Sequence, residues 1–132
     1  MLFRSAHPGH GQVSLVTEEL LDYGAATGVT VLAYSPLQAG RYARPEQPLR
    51  AAYAHPGSPA RLAVLREVAG ELGATPGQVV LAWLLHQDPP VLPIPGASSV
   101  AQLEEILGAT ELKLDSGILA RLDQAGRDGA PS

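Results

Sequence analysis

Apolar positions along this chain follow two kinds of pattern. Two short runs are apolar without alternation: "VTVLAY" from Val29 to Tyr34 and "VLPI" from Val91 to Ile94. Both are too short for helices, and they read as strands buried on both faces, as in a parallel sheet. The remaining apolar residues recur at helical spacing. "TEELLDYGAATG" predicts a helix capped by Thr17, with Glu18 and Glu19 at its positive end and Gly28 at its stop. "PARLAVLREVAGELG" sets Leu62, Leu65, Val68, Ala69 and Leu72 on one stripe. "ATPGQVVLAWLLHQ" opens with Thr75 as cap and Pro76 in the first turn, and its all-apolar centre predicts deep burial. In "SVAQLEEILGA" the residues Val100, Leu103, Ile106 and Leu107 are expected to face inward, and "KLDSGILARLDQAG" is a last short helix.

The order is helix, strand, long loop, helix pair, strand, helix, helix. The loop runs from Ser35 to about Ser58 and is rich in Pro, Gly and Arg; a loop of that length in a compact domain is functional or mobile. Two such strands joined through helices predict a parallel βαβ unit, with residues 59–87 crossing between them. Two strands cannot hide both edges of their sheet, so the chain reads as part of a larger architecture.

Composition narrows the function classes. The chain has 132 residues, 45% of them hydrophobic, which suits one domain with a core of its own. A formal net charge of -4 without a basic run argues against a nucleic-acid partner. The absence of cysteine excludes disulfides and thiol chemistry and fits a cytoplasmic location. Prolines and charges interrupt every apolar run, so no membrane partner is expected. The N-terminal "MLFRSAHPGHG" lacks the apolar core of a signal peptide.

Candidate chemistry gathers at "VLPIPGASSVAQLEEIL". There a strand meets a Pro-Gly turn, two serines and a helix start, and a helix start offers free N–H groups and a partial positive charge to an anion. Ser98 or Ser99 as a simple helix cap uses the same groups. Elsewhere the bland readings hold. His7 and His10 flank a Pro-Gly pair with no third ligand near, so no metal site is expected. His55 reads as an exposed loop residue. His86 reads as a helix C-terminal cap whose positive charge would suit the dipole, and Trp83 as core. Arg41, Arg44 and Arg50 could reach a phosphate or simply be solvated. The helix pair 59–87 could also be read as a DNA-binding helix-turn-helix, but its second helix is too apolar for a major groove.

"GVTVLAYSPLQAGRY", "LGATPGQVVLAWLL" and "VLPIPGASSVAQLEEILGA", in this order and spacing, resemble the C-terminal part of the aldo/keto reductases. The resemblance implies an α/β fold that is a partial (β/α)8 TIM barrel, its last two strands with their helices. It implies that "TVLAYS" is strand seven, "VLPIP" strand eight, and the cofactor NADP or NAD. By the same resemblance Tyr34 would stack on the nicotinamide. Ser35 and Leu37 would line the pyrophosphate, and Gly96, Ser98, Gln102 and Glu105 would hold the adenosine end. The family usually has Asn where this chain has Ile106. It often has Lys or Arg near the 2′-phosphate, where Gly96, Ser98, Ser99 and Gln102 carry no charge.

The family's catalytic Asp, Tyr, Lys and His lie on earlier strands, and nothing in residues 1–16 resembles those segments. The expected organisation is an irregular segment at 1–16, a barrel section at 17–125 and a frayed tail at 126–132. The expected function is that of the C-terminal section of an NAD(P)(H)-dependent oxidoreductase (carbonyl reduction or alcohol oxidation), inactive alone. The alternative is a non-catalytic remnant that self-associates, or pairs with a complementing chain, to cover its sheet edges.

Overall fold

A computed structural model describes residues 18–49 and 56–127. Thr17, His7, His10, Arg50 and His55 lie outside the described residues, as do both expected terminal segments apart from 126–127. Helix α1 (Glu18–Thr27) leads to strand β1 (Val31–Tyr34) and a 3-10 turn at Gln38–Ala43. Helices α2 (Ser58–Leu72) and α3 (Pro76–Leu85) cross to strand β2 (Val91–Ile94). Helix α4 (Val100–Gly108), a short 3-10 turn at Ala109–Glu111 and helix α5 (Ser116–Gln124) complete the order.

The two strands are parallel, paired Val31 to Val91 through Tyr34 to Ile94, with α2 and α3 between them in sequence. The entry into β1 depends on small residues. Gly28 takes a left-handed φ of 73° that stops α1, and Val29 N–H bonds back to Gly24 O at 3.1 Å. A Cβ on Gly24 would come within 2.9 Å of that Val29 carbonyl, so only glycine lets the chain return so closely.

The core forms where the stripes predict it. Leu65, Val68 and Ala69 of α2 pack with Val79, Val80, Ala82 and Trp83 of α3 and with Leu122 of α5. The α3 start carries a full capping box: Thr75 Oγ1 accepts from Gln78 N–H, and Gln78 Oε1 accepts from Thr75 N–H. Trp83 is core, as expected, and its indole N–H is satisfied by Asp123 at 2.8 Å. The helices α2 and α3 are bent by 94° at their junction. A helix-turn-helix reading nevertheless fails, because the centre of α3 is buried and presents nothing to a groove.

Two expectations are corrected. The strands are not buried on both faces. Val31 and Val91 pack inward, but Leu32 is 56% and Tyr34 73% exposed, with Leu92 and Ile94 close to half exposed. Helices cover one face of this two-stranded sheet, and among the described residues nothing covers the other. The α4 stripe also faces outward: Val100, Leu103 and Leu107 are exposed, and only Ile106 is half buried. The periodicity is real, but a stripe shows only that a helix has an apolar side, not that this chain supplies the surface to bury it. Among the described residues no single helix is long and apolar enough to cross a membrane.

Candidate functional site

The long loop is folded rather than loose along its first half. After β1 the backbone enters the left-handed region repeatedly, at Ser35 (φ 52°), Gln38 (φ 52°), Ala39 (φ 55°) and Gly40 (φ 77°). Three of these are not glycine, and such strain collects where a structure holds a functional shape. The segment is tied down by Tyr42 and Gln38, both buried, and by the Arg41 guanidinium donating to Gln38 O at 3.0 Å. The Gln38 Oε1 atom is buried without a hydrogen-bond partner.

This loop faces Gln102, Glu105 and Ile106 of α4 across a cleft of ≈ 480 Å³, a volume in the range of small-molecule sites. Ser35, Leu37, Gly96, Gln102 and Glu105 all line it, so these sequence-expected positions, more than 50 residues apart at their extremes, come together. Arg44 lines it too. Of the three loop arginines, Arg41 is committed to the loop's own backbone, and Arg44 stands exposed at the cleft. Ser98 lies outside this cleft, in a shallower adjoining groove with Pro95, Ala97, Ser99, Val100, Leu103 and Ile106. Tyr34 lines neither; its ring stands in solvent at the carboxyl end of β1.

The start of α4 is already capped. Ser99 Oγ accepts from Gln102 N–H at 3.2 Å, while Gln102 Oε1 accepts from both the N–H and the hydroxyl of Ser98, at 2.7 and 3.0 Å. The capping reading therefore holds, with Ser99 as the cap. An anion reaching the Ser98 N–H must displace the Gln102 amide. Glu105 is also engaged: its carboxylate accepts from the Thr75 hydroxyl at 2.7 Å and its backbone carbonyl from Gln78 Nε2 at 2.8 Å.

Gly77, which the sequence did not single out, forms part of the cleft wall. A Cβ there would sit 3.3 Å from Leu37 Cδ2 and 3.8 Å from Glu105 Oε1. Its signal was "TPGQ", where a glycine inside a first helical turn costs stability unless something must approach closely. His86 caps α3, as expected. Its Nδ1 lies 2.7 Å from Ala82 O and its Nε2 3.4 Å from the Leu114 N.

The model of the aldo/keto reductase family matches residues 10–127. The chain belongs to the aldo/keto reductase family. It is 48% identical over 71 residues to pyridoxine 4-dehydrogenase of Escherichia coli, covering 54% of this chain and 25% of that protein. It is 32% identical over 115 residues to an uncharacterized oxidoreductase of Schizosaccharomyces pombe, covering 87% and 32%. Its fold is similar to that of a thermostable aldo-keto reductase solved in complex with the inhibitor epalrestat. That match has a TM-score of 0.62 and 37% identity and covers 82% of this chain and 34% of that one. This aldo/keto reductase chain thus spans a quarter to about a third of the length of these relatives.

Proposed function

We propose that this chain forms the last two strands, with their helices, of an aldo/keto reductase barrel, and that its cleft cradles part of a nicotinamide dinucleotide, NADP or NAD. In this reading β1 is barrel strand seven and β2 strand eight, and the cleft lies where their carboxyl ends open. The observation that carries it is the convergence of Ser35, Leu37, Gly96, Gln102 and Glu105 on one cleft. The chemistry of the lining fits such a group. The left-handed run at Gln38–Gly40 shapes one wall of the cleft, with the Gln38 and Gly40 N–H groups bonded to Ser35 O and Leu37 O at 3.3 and 2.9 Å. Arg44 adds a full positive charge at the cleft. A Cβ on Gly96 would meet nothing within 4 Å, so that wall leaves room for a ligand. The bound cofactor supplies or accepts the hydride of carbonyl reduction or alcohol oxidation. This chain's own residues would hold its phosphates and orient it, with the exposed Tyr34 ring as a flat support for the nicotinamide.

In this reading the general acid for the carbonyl oxygen comes from earlier barrel strands, outside this section. The loss of such an acid costs about 10²–10⁴-fold in rate, so the chain alone is expected to be inactive. The test is a titration of the isotopically labelled chain with NADP⁺ and NAD⁺, followed by NMR. Shifts should concentrate at Ser35–Arg44 and Gly96–Glu105, with a dissociation constant no tighter than roughly millimolar, about 4 kcal/mol, and little preference between the two. Shifts elsewhere, or none at saturating cofactor, would refute the reading. A parallel assay with an aromatic aldehyde should show no NADPH consumption. Turnover that disappears on mutation of a residue of this chain would refute the expected inactivity.

The bare sheet face favours a second reading, a non-catalytic remnant that covers this face by association.

A further inference from the structure

The side chain of Gln38 is a buried polar group with nothing to bond. The residue is 3% exposed, and its Oε1 atom has no hydrogen-bond partner. Among the described residues neither end of the amide is bonded. Only the backbone is engaged: the N–H donates to Ser35 O at 3.3 Å, and the carbonyl accepts from the Arg41 guanidinium at 3.0 Å. A buried acceptor left unpaired is unfavourable, and the large majority of such groups in folded proteins are paired. The chain itself buries this side chain, in contrast to the bare sheet face, so a covering layer of protein does not supply its partner.

Gln38 lines the cleft together with Ser35, Arg44, Gln102 and Glu105. Gln102 and Glu105 already accept bonds, from Ser98 and from the Thr75 hydroxyl. The Gln38 amide has its full capacity left. With neither end tied, it can turn about its terminal bond to offer oxygen or NH2 without breaking a hydrogen bond. The chemistry of its partner follows from that oxygen. An ionised phosphate oxygen only accepts, so it cannot satisfy Oε1; the partner must carry an O–H or an N–H. In a nucleotide the donors that adjoin a phosphate are the hydroxyls of the ribose. Arg44, on the same loop, offers the charge for the phosphate beside it.

We propose that the Gln38 amide recognises a ribose hydroxyl, its Oε1 accepting from the sugar O–H, so that the cleft selects a sugar phosphate over a bare phosphate. This rests on the dinucleotide reading of the cleft and adds to it the side chain that reads the sugar. Gln38 is a binding residue in this role and takes no part in the transfer of hydride or proton.

NMR titrations of the isotopically labelled full chain with ADP-ribose and, separately, with inorganic pyrophosphate test it. ADP-ribose carries ribose hydroxyls and pyrophosphate does not. In the unaltered chain the side-chain NH2 signals of Gln38 should move with ADP-ribose and stay in place with pyrophosphate. Gln38→Met keeps the length of the side chain, and at a φ of 52° it meets the same backbone strain, but it removes the amide. It should weaken ADP-ribose binding about tenfold. The same variant should unfold at a higher urea concentration than the parent, because an apolar group replaces an unpaired polar one. Weaker binding by a more stable protein is a signature that a packing role does not give. If ADP-ribose shifts nothing between Ser35 and Arg44 or between Gly96 and Glu105, the dinucleotide reading of the cleft fails and this inference with it. If the cleft shifts but the Gln38 NH2 signals do not, or if they move as far with pyrophosphate, the role of Gln38 alone is overturned. A lower urea midpoint with unchanged ADP-ribose affinity in Gln38→Met overturns it as well.

Discussion

The Thr75 hydroxyl donates to the Glu105 carboxylate at 2.7 Å, tying the first turn of α3 to the cleft wall on α4 across 30 positions of sequence. The same hydroxyl oxygen accepts from Gln78 N–H at 3.2 Å as the α3 cap. One residue thus starts the most buried helix and holds an acidic group in place at the candidate site. Thr75→Ala should lose both bonds and cost about 1–2 kcal/mol in urea unfolding, whereas Thr75→Ser, which keeps the hydroxyl, should stay within about 0.5 kcal/mol of the parent. Equal losses in both variants would show that the methyl group's packing, not the hydroxyl, carries the effect.

At the cleft, substitutions toward the family pattern should behave differently from one another. Ile106→Asn places an amide on the half-buried wall and should tighten adenine-nucleotide binding about tenfold, or 1.4 kcal/mol. Ser99→Arg adds a cation but removes the oxygen that caps Gln102 N–H, at a stability cost of about 1 kcal/mol. Titration calorimetry with NADP⁺, paired with thermal unfolding, should show a gain without a stability loss for a tolerated Ile106→Asn. For Ser99→Arg any gain in affinity should come with a lower Tm.

A dependence on pH is expected from Glu71. Two hydrogen bonds from the Arg121 guanidinium, at 2.8 and 2.9 Å, hold the Glu71 carboxyl below its usual range, and Coulomb attraction to Arg121 works in the same direction. The folded value lies below the unfolded one. The pair's stabilisation is therefore complete above the ordinary Glu pKa of about 4.3 and is lost as the pH falls through the lower folded value. Arg121 is raised by the same contact, so its share is lost only at strongly alkaline pH. Both groups are solvent-exposed and the effect is small and salt-sensitive. Urea midpoints from pH 7 down to about 3 should fall more steeply for the parent than for Glu71→Gln, and 1 M salt should narrow the difference.

Leu65 and Leu122 are fully buried where α2 meets α5. Leu65→Ala should cost about 2–5 kcal/mol, a large part of a small domain's total stability. Denaturant unfolding should show a lower midpoint with an unchanged slope. A loss below about 1 kcal/mol would mean that the α2–α5 contact closes over the cavity.

Much of the fold was legible because it is written in local chemistry. The Thr75–Pro76 start, the Gly28 stop, the α2 stripe and the all-apolar α3 each follow from rules that act within one or two turns. Two β-branched runs separated by helices dictated parallel strands. The resemblance of "YSPL" and "PGASS" to one family, with the Ser35 and Gly96 loops placed at neighbouring strand ends, indicated which positions converge. The left-handed backbone at Gln38 and Ala39 was not legible, since nothing in "QAG" alone forces a non-glycine residue to positive φ; the tertiary hold of buried Tyr42 and Gln38 does. The same holds for the wall contributed by Gly77, which exists only because α3 is docked against α4 and the loop.

The sequence by itself determined which residues are apolar, at what period they recur and where elements begin and end, because those properties depend on neighbours a few positions away. Only the tertiary structure decided which apolar faces this chain buries. Val31 and Val91 point to its helices and are covered. Leu32, Tyr34, Leu92, Ile94 and the α4 stripe are equally apolar, but they point where the described chain supplies no second layer. Burial requires a surface on the other side, and no pattern along one strand or helix contains that information.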